Sequence, residues 1–120
     1  MLKVFQNRAI INLSPIVNRV PFDQLMEKYP ELKCHHECSM RGSNAFEPAQ
    51  FTHYTHVADV NTDDLEKAFN LMNGEGDYLD ITPITGMRSM SVGDIIKTEA
   101  GKFFMCDSRG FTEIEVIQNV

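Results

Sequence analysis

The residues best suited to chemistry in this sequence are cysteines and histidines in its first half. Cys34 and Cys38 enclose the histidine pair 35–36, and a second pair, His53 and His56, follows after fourteen intervening residues. Thiolate and imidazole are the ligands that hold zinc in tetrahedral protein sites. One hypothesis is therefore a small zinc- or nucleic-acid-binding module, and its candidate metal ligands are Cys34, Cys38, His53 and His56.

The spacing of the second pair argues against that zinc site. His53 and His56 are separated by two residues, whereas about three to five usually separate the histidines of a zinc finger. If 51–60 is a strand, the two side chains also point to opposite faces of a sheet. The simpler interpretation is a polar loop with free thiols and a strand with one histidine on each side. We therefore expect no cofactor, with zinc as the alternative.

No set of catalytic residues emerges from the remaining polar side chains. A cysteine nucleophile needs an aligned group that lowers its pKa, and Arg109 near Cys106 in the sequence does not provide one. The acidic pairs 63–64 and 113–115 fit the start of a helix and the wet face of a strand. A glycine-rich phosphate loop and a nucleophile elbow are both absent from the sequence. We predict that the chain is not an enzyme.

A second polar group lies in the last third of the chain. Ser91 and Asp94 flank Val92 and Gly93 as turn-forming residues, and Gly93 can adopt a positive φ. The structural interpretation is a turn that directs the chain sharply into the first strand of the C-terminal meander. The alternative is an exposed edge of Arg88, Ser89 and Arg109 that binds a partner. The candidate binding residues of this region are Arg88, Ser89, Asp94, Asp107 and Arg109. A nucleotide-type ligand is a further alternative, and it would require a concave pocket lined by Arg88, His53 or Asp107.

Composition limits the classes of partner. The 120 residues include 17 acidic and 11 basic side chains, giving a formal charge of −6. Binding to a phosphate backbone depends on Lys and Arg, so a nucleic-acid partner is not expected. No apolar stretch approaches the roughly 18 residues that span a bilayer. Three cysteines without a secretory signal indicate free thiols in a reducing compartment, so we expect a cytoplasmic protein without membrane contact.

The first half of the chain must position the Cys and His side chains. The β-branched and apolar residues of 2–5 and 9–13 predict one or two short strands. Apolar residues at helical spacing between Pro21 and Pro30 predict a helix, opened by the first proline and stopped by the second. The residues of 31–50 have no apolar period, and we expect a long irregular loop there.

The second half contains the clearest elements. Cap residues at 61–64, an apolar stripe from Leu65 to Met72 and Gly74 predict a helix. Residues 51–60 are expected to form a strand, and a short extended segment is expected at 78–81. The C-terminal pattern predicts three antiparallel strands joined by two turns, at 95–98, 102–106 and 111–117.

Together these elements predict a single α+β domain covering residues 1–120. We expect a small antiparallel sheet that includes the C-terminal three-stranded meander. Two helices, one before Pro30 and one at 65–72, would pack on one face of this sheet to give two layers.

The C-terminal motif also resembles a protein family. The residues are Ser89-Met90-Ser91-Val92-Gly93-Asp94-Ile95, followed by Phe104, Cys106-Asp107-Ser108 and Gly110-Phe111. They resemble the signature of small YodL-like and related uncharacterised proteins of bacteriophages and conjugative elements. The resemblance covers about 88–113 most clearly, is weaker from Phe51 and does not extend to the first half. It implies a phage or mobile-element origin and supplies no catalytic residues.

The preferred hypothesis combines these observations. We expect a phage-encoded accessory protein that binds a host or viral protein in the cytoplasm of the infected bacterium and catalyses no reaction. A homodimer through a free edge of the C-terminal meander is an associated expectation.

Overall fold

The computed structural model describes residues 1–118, and residues 119 and 120 of the predicted domain lie outside this range. Its main elements are β1 (Leu2–Asn7), α1 (Ala9–Asn12), α2 (Ser14–Val17), α3 (Phe22–Lys28), α4 (Pro30–Arg41), β2 (Tyr54–Val60), α5 (Leu65–Met72), β3 (Ile81–Pro83), β4 (Ile95–Lys97), β5 (Phe103–Cys106) and β6 (Phe111–Ile114). Short 3₁₀ helices occupy Gly42–Asn44, Pro48–His53 and Tyr78–Asp80.

The strands form one six-stranded antiparallel sheet in the order β3-β2-β1-β4-β5-β6. The N-terminal strand β1 lies in the interior of this sheet and pairs with both β2 and β4. Its central position fits its composition, because Leu2 and Val4 are both fully buried. The predicted α+β class and the C-terminal meander β4-β5-β6 are confirmed.

Helices cover both faces of the sheet. Neighbouring residues of β4 show this division, because Ile96 packs in the cluster that contains α5 and Ile95 packs in the cluster that contains α4. Side chains of successive strand residues point to opposite faces, so α5 and α4 lie on opposite sides. The domain therefore has three layers. Of the two helices predicted to share one face, α5 packs on the sheet but α3 packs against α4, so that part of the prediction was wrong.

The predicted loop at 31–50 is largely helical. Helix α4 runs over Pro30–Arg41, with Pro30 in its first turn, where proline is favoured because its missing N–H would have no partner there. Its buried residues are Leu32, Cys34 and Cys38. Cysteine behaves as a small apolar residue, so the two thiols supply the i, i+4 stripe that is missed when they are treated as metal ligands.

The region before α4 is also helical. The predicted second strand at 9–13 is instead α1, whose Ala9 packs with Leu25 of α3 and Leu32 of α4. This separate apolar cluster lies beside the sheet, so α3 contacts α4 rather than a sheet face. Apolar residues in a short segment did not distinguish strand from helix.

Within residues 1–118, no helix has the length and apolarity needed to cross a bilayer.

The helix α5 agrees with its predicted signals. The Asp64 carboxylate caps its first turn by accepting hydrogen bonds from the N–H groups of Glu66 and Lys67 at 2.9 and 3.3 Å. Gly74 follows the helix with a φ of 87°, which a glycine adopts without strain. Ala68 and Met72 of the predicted stripe are buried against the sheet, and so is the adjacent Leu71.

Candidate functional site

The four candidate zinc ligands do not form a metal site. Cys34 and Cys38 lie one turn apart on α4 and are buried against the sheet. His53 ends a 3₁₀ helix, whereas His56 lies on β2 with its Nε2 atom 2.7 Å from Oδ1 of Asp59. Within the described residues, no three His, Cys, Asp or Glu side chains are grouped closely enough to hold a metal ion.

The environments of Cys34 and Cys106 do not favour a nucleophile, whereas the contact with Cys34 lowers the pKa of Cys38. The neighbouring Cys38 and burial raise the pKa of Cys34 far above its usual range. Burial also raises the pKa of Cys106 to about 11. Because the thiolate is the reactive form, these two side chains are protonated at neutral pH and serve as packing groups.

Arg88 and Asp94 form a buried polar network at one end of the sheet. An Arg88 Nη2 atom donates to Oδ1 of Asp94 at 2.9 Å, and the Ser91 N–H donates to Oδ2 at 3.0 Å. From β1, the amide nitrogen of Gln6 donates to Oδ2 of Asp94 at 3.1 Å and to the carbonyl oxygen of Arg88 at 3.0 Å. The network ties β1 to the turn before β4. Ser89 remains exposed beside it.

The electrostatics of this network reflect burial. Asp94 is 1% exposed, and burial raises its pKa to about 6, although the Arg88 guanidinium opposes this shift. A buried carboxylate with an ion-pair partner and several hydrogen bonds is stabilised in place. Arg88 and Asp94 therefore bind each other and stabilise the fold. Few of their hydrogen-bonding atoms remain free for a ligand.

The turn before β4 requires its glycine. Gly93 has a φ of 97°, as predicted, and a Cβ at this position would lie 3.3 Å from backbone carbon of Cys38. The same residue accepts a hydrogen bond at its carbonyl oxygen from the Tyr54 hydroxyl at 2.7 Å. The motif Ser91-Val92-Gly93-Asp94 thus allows α4 and β2 to approach the turn closely.

Asp107 forms a second polar contact, which we call the Asp107 anchor. Its carboxylate accepts hydrogen bonds from the Ser43 N–H at 2.8 Å and the Ser43 hydroxyl at 2.7 Å, and also from the Thr112 hydroxyl. Burial raises the pKa of Asp107, but the hydrogen bonds from Thr112 and Ser43 outweigh it and leave this pKa below its usual value. The anchor joins the segment after α4 to the hairpin β5-β6.

Gly42 makes the Asp107 anchor possible. Its φ is 60°, and a Cβ there would lie 1.8 Å from Oδ1 of Asp107. No side chain fits at that distance, so the carboxylate reaches Ser43 only because residue 42 is glycine.

Two clefts flank the turn that follows Asp107. One has a volume of about 270 Å³ between α5 and the hairpin β5-β6, and its lining residues are Glu66, Phe69, Asn70, Cys106, Asp107, Ser108, Gly110 and Phe111. The other, about 390 Å³, lies against the end of α4 and is lined by Ser39, Met40, Arg41, Gly42, Asn44, Val92, Asp107 and Ser108. Arg109 is exposed in the turn. We call the first of these clefts the α5 cleft.

The predicted binding residues thus divide into two groups at the same end of the sheet. Asp94 and Cys106 are joined by a backbone hydrogen bond of 2.8 Å, so the Arg88–Asp94 network and the Asp107 anchor are neighbours. Of the five predicted binding residues, only Asp107 lines either of the two clefts described above.

The outer strand β6 forms a free edge of the C-terminal meander, as expected, and its pairing shows which backbone groups are open. Asp107 and Gly110 form a hydrogen-bonded pair, with the Asp107 N–H donating at 2.8 Å. In an antiparallel ladder such pairs alternate, so Thr112 and Ile114 bond to β5. The backbone groups of Phe111 and Glu113 therefore point away from the sheet. Within residues 1–118 they have no hydrogen-bond partner, and β6 is the last strand.

Three acidic side chains lie near this edge, together with Lys102, which lines a cleft with Glu113 and Glu115. Glu113 lies opposite Phe104, on the face that carries α5, and Glu66 lines the α5 cleft on the same face. Glu115 follows directly after the strand. None of the three forms an ion pair within the described part of the chain. The sequence predicted the alternation of Glu113 and Glu115 and a free edge of the meander, but not which strand forms that edge.

Comparisons with known proteins add no family assignment. No protein-family model, curated protein or solved structure matches this chain. The resemblance to YodL-like proteins therefore stays a prediction from the C-terminal motif.

Proposed function

We propose that this chain is a non-enzymatic accessory protein of a bacteriophage or mobile element, and that it binds a host or viral protein in the bacterial cytoplasm. The observation that carries the proposal is the unpaired edge of β6 beside the α5 cleft. An edge of this kind offers a row of backbone donors and acceptors to another polypeptide. The phage origin rests on the resemblance at 89–95 and 104–111.

The roles of the motif residues support a binding function. Arg88 and Asp94 bind each other, and Asp107 binds Ser43 and Thr112. These polar groups hold the turn and hairpin in place, so the motif specifies a scaffold. The binding capacity that remains lies on the backbone and side chains of β6.

The alternatives have less support. A nucleotide ligand would place phosphate near Asp107 and Glu66 in the α5 cleft, where carboxylates repel it. A zinc module needs about four ligands at one point, and the described residues contain no group of three. Metal analysis of protein purified without an affinity tag tests the zinc alternative, since a stoichiometric content of zinc would favour it.

Affinity purification from the natural host bacterium tests the proposal. The expected result is one enriched host or viral protein that also binds the purified chain directly in a two-component experiment. A matched control uses the wild-type protein after heat denaturation, which has the same composition but no folded edge. Repeated failure to recover a directly binding protein, from uninfected and infected cells, would contradict the proposal.

A further inference from the structure

We infer that the free edge of β6 binds an extended, basic segment of the partner protein as a seventh strand of the sheet. This inference rests on the proposed function and names the kind of partner surface involved. Three observations carry it: the open backbone of β6, the α5 cleft beside it and the acidic charge on the same face.

The backbone of β6 is suited to strand addition. Phe111 and Glu113 each direct an N–H and a C=O outward, so an added strand can form a hydrogen-bonded pair with each residue. Residues 111–114 contain no proline, which would remove a donor. The Asp107 anchor holds the start of this strand, so its edge is ordered before a partner arrives.

The α5 cleft can receive side chains of the added strand. Side chains of residues opposite Phe111 and Glu113 would lie on the face of the sheet that carries α5. On this face the cleft of about 270 Å³ opens between Phe69 and Phe111. A volume of this size accommodates one long side chain, whose apolar stem would contact the two rings.

The charge of the edge selects a basic segment. Glu113 lies on the strand, Glu66 lines the cleft, and neither has an ion-pair partner among the described residues. Lysine or arginine opposite Glu113 would form a cross-strand pair of opposite charge. A second copy of this chain fits less well, because antiparallel pairing of two β6 strands would bring two acidic edges together.

Peptide binding to isotopically labelled protein provides the direct test. The probe is a synthetic peptide of about seven residues that alternates Lys and Thr, and its control alternates Glu and Thr. We expect the basic peptide to bind at least tenfold more tightly, to weaken with added salt, and to slow amide hydrogen exchange at Phe111 and Glu113. Equal binding of the two peptides, or protection confined to other residues, would overturn the inference.

Two variants at Glu113 separate the contribution of backbone hydrogen bonds to peptide binding from the contribution of charge. Glu113→Pro removes one outward donor and should weaken binding of the basic peptide at least tenfold. Glu113→Lys keeps the backbone and should reverse the preference between the two peptides, which covers the case in which the proline variant does not fold. Glu27→Lys is the charge-matched control and should keep the preference, because Glu27 is exposed on α3, which packs in a separate cluster with α1 and α4.

Affinity purification with wild-type and variant protein distinguishes failure of this inference from failure of the proposed function. If wild-type protein and the folded Glu113→Lys variant retain the same partner equally, the strand-addition inference is wrong and the proposed function stands. If the peptide binds as expected but no partner is recovered, the proposed function fails. Sedimentation that shows a wild-type dimer, abolished by Glu113→Lys, would identify a second copy as the occupant and overturn the inference.

Discussion

The outer strands β3 and β6 both leave backbone groups without a partner strand in the described chain, but the two edges differ in chemistry. Asp80 and Ile84 bond to β2 through their backbones, so Ile81 and Pro83 face outward. Pro83 has no N–H to offer. The outward residues of β6 are Phe111 and Glu113, and both keep their donors.

The exposed side chains around the two edges also differ, being apolar near β3 and polar or acidic on β6. Near β3, Tyr78, Leu79 and Ile84 are 79%, 73% and 50% exposed, so an open backbone there would invite aggregation. Proline is a common means of blocking such an edge. Beside β6 the exposed strand residues are polar or acidic, which permits an open edge in a folded monomer. The comparison indicates that one edge is closed to strand addition and the other is available.

The largest expected effect comes from removing the support of the β6 edge. Gly42→Ala would place a Cβ 1.8 Å from Oδ1 of Asp107 at a φ of 60°. We expect a loss of about 3 kcal/mol in the free energy of unfolding, measured with urea, because strain adds to loss of the Asp107 anchor. Gly101→Ala is the control, since its φ of 84° has open space around it and should cost about 1 kcal/mol. Equal losses would show that the anchor contributes nothing.

A smaller effect is expected from the network that lies between the two edges. Arg88→Ala leaves the buried Asp94 carboxylate without its cation and should lower the free energy of unfolding by about 2 to 3 kcal/mol. The pKa of Asp94 should rise above about 6, because Arg88 lowers it. Carboxyl NMR titration and urea unfolding measure the two effects. Arg109→Ala, in an exposed turn, is the control and should change stability by less than about 0.5 kcal/mol.

The two carboxylates should respond oppositely to pH. The folded chain holds the Asp94 proton more tightly than the unfolded chain does, so its contribution to stability is present below about pH 4 and is lost as pH rises through about 6. The pKa of Asp107 is lowered, so its contribution is present above the usual carboxyl range and is lost as pH falls. Carboxyl titration by NMR measures both values. A pKa of Asp94 below that of Asp107 would contradict the assignment.

The smallest effect on stability is expected from opening the β3 edge. Pro83→Thr restores an outward N–H at a position whose residue is already exposed, so the free energy of unfolding should change by about 0.5 kcal/mol or less. Self-association at high concentration should increase, because exposed Tyr78, Leu79 and Ile84 lie next to the new donor. Sedimentation velocity measures this change. Thr52→Ser, an exposed site away from both edges, should leave the protein unchanged.

Several elements could be predicted from local patterns. The helix α5 carries a cap at Asp64, an apolar stripe and Gly74, which are all neighbours in the sequence. The C-terminal meander likewise has turn residues between short apolar strands. The helix α4 was missed because Cys34 and Cys38 were weighed as metal ligands, although their i, i+4 spacing is that of a buried helical face.

Local sequence was therefore sufficient for the α+β class, for α5, for the three C-terminal strands and for the turn at Gly93, because each depends on interactions among residues close in the chain. The tertiary structure decided which sheet face each helix covers, the pairing of Asp107 with Ser43 and which strand of the meander forms the free edge. These features depend on contacts between residues far apart in sequence, such as Ser43 with Asp107 and β1 with β4. A strand has the same local pattern at an edge as in the interior, so its free backbone groups become visible only when the whole sheet is assembled.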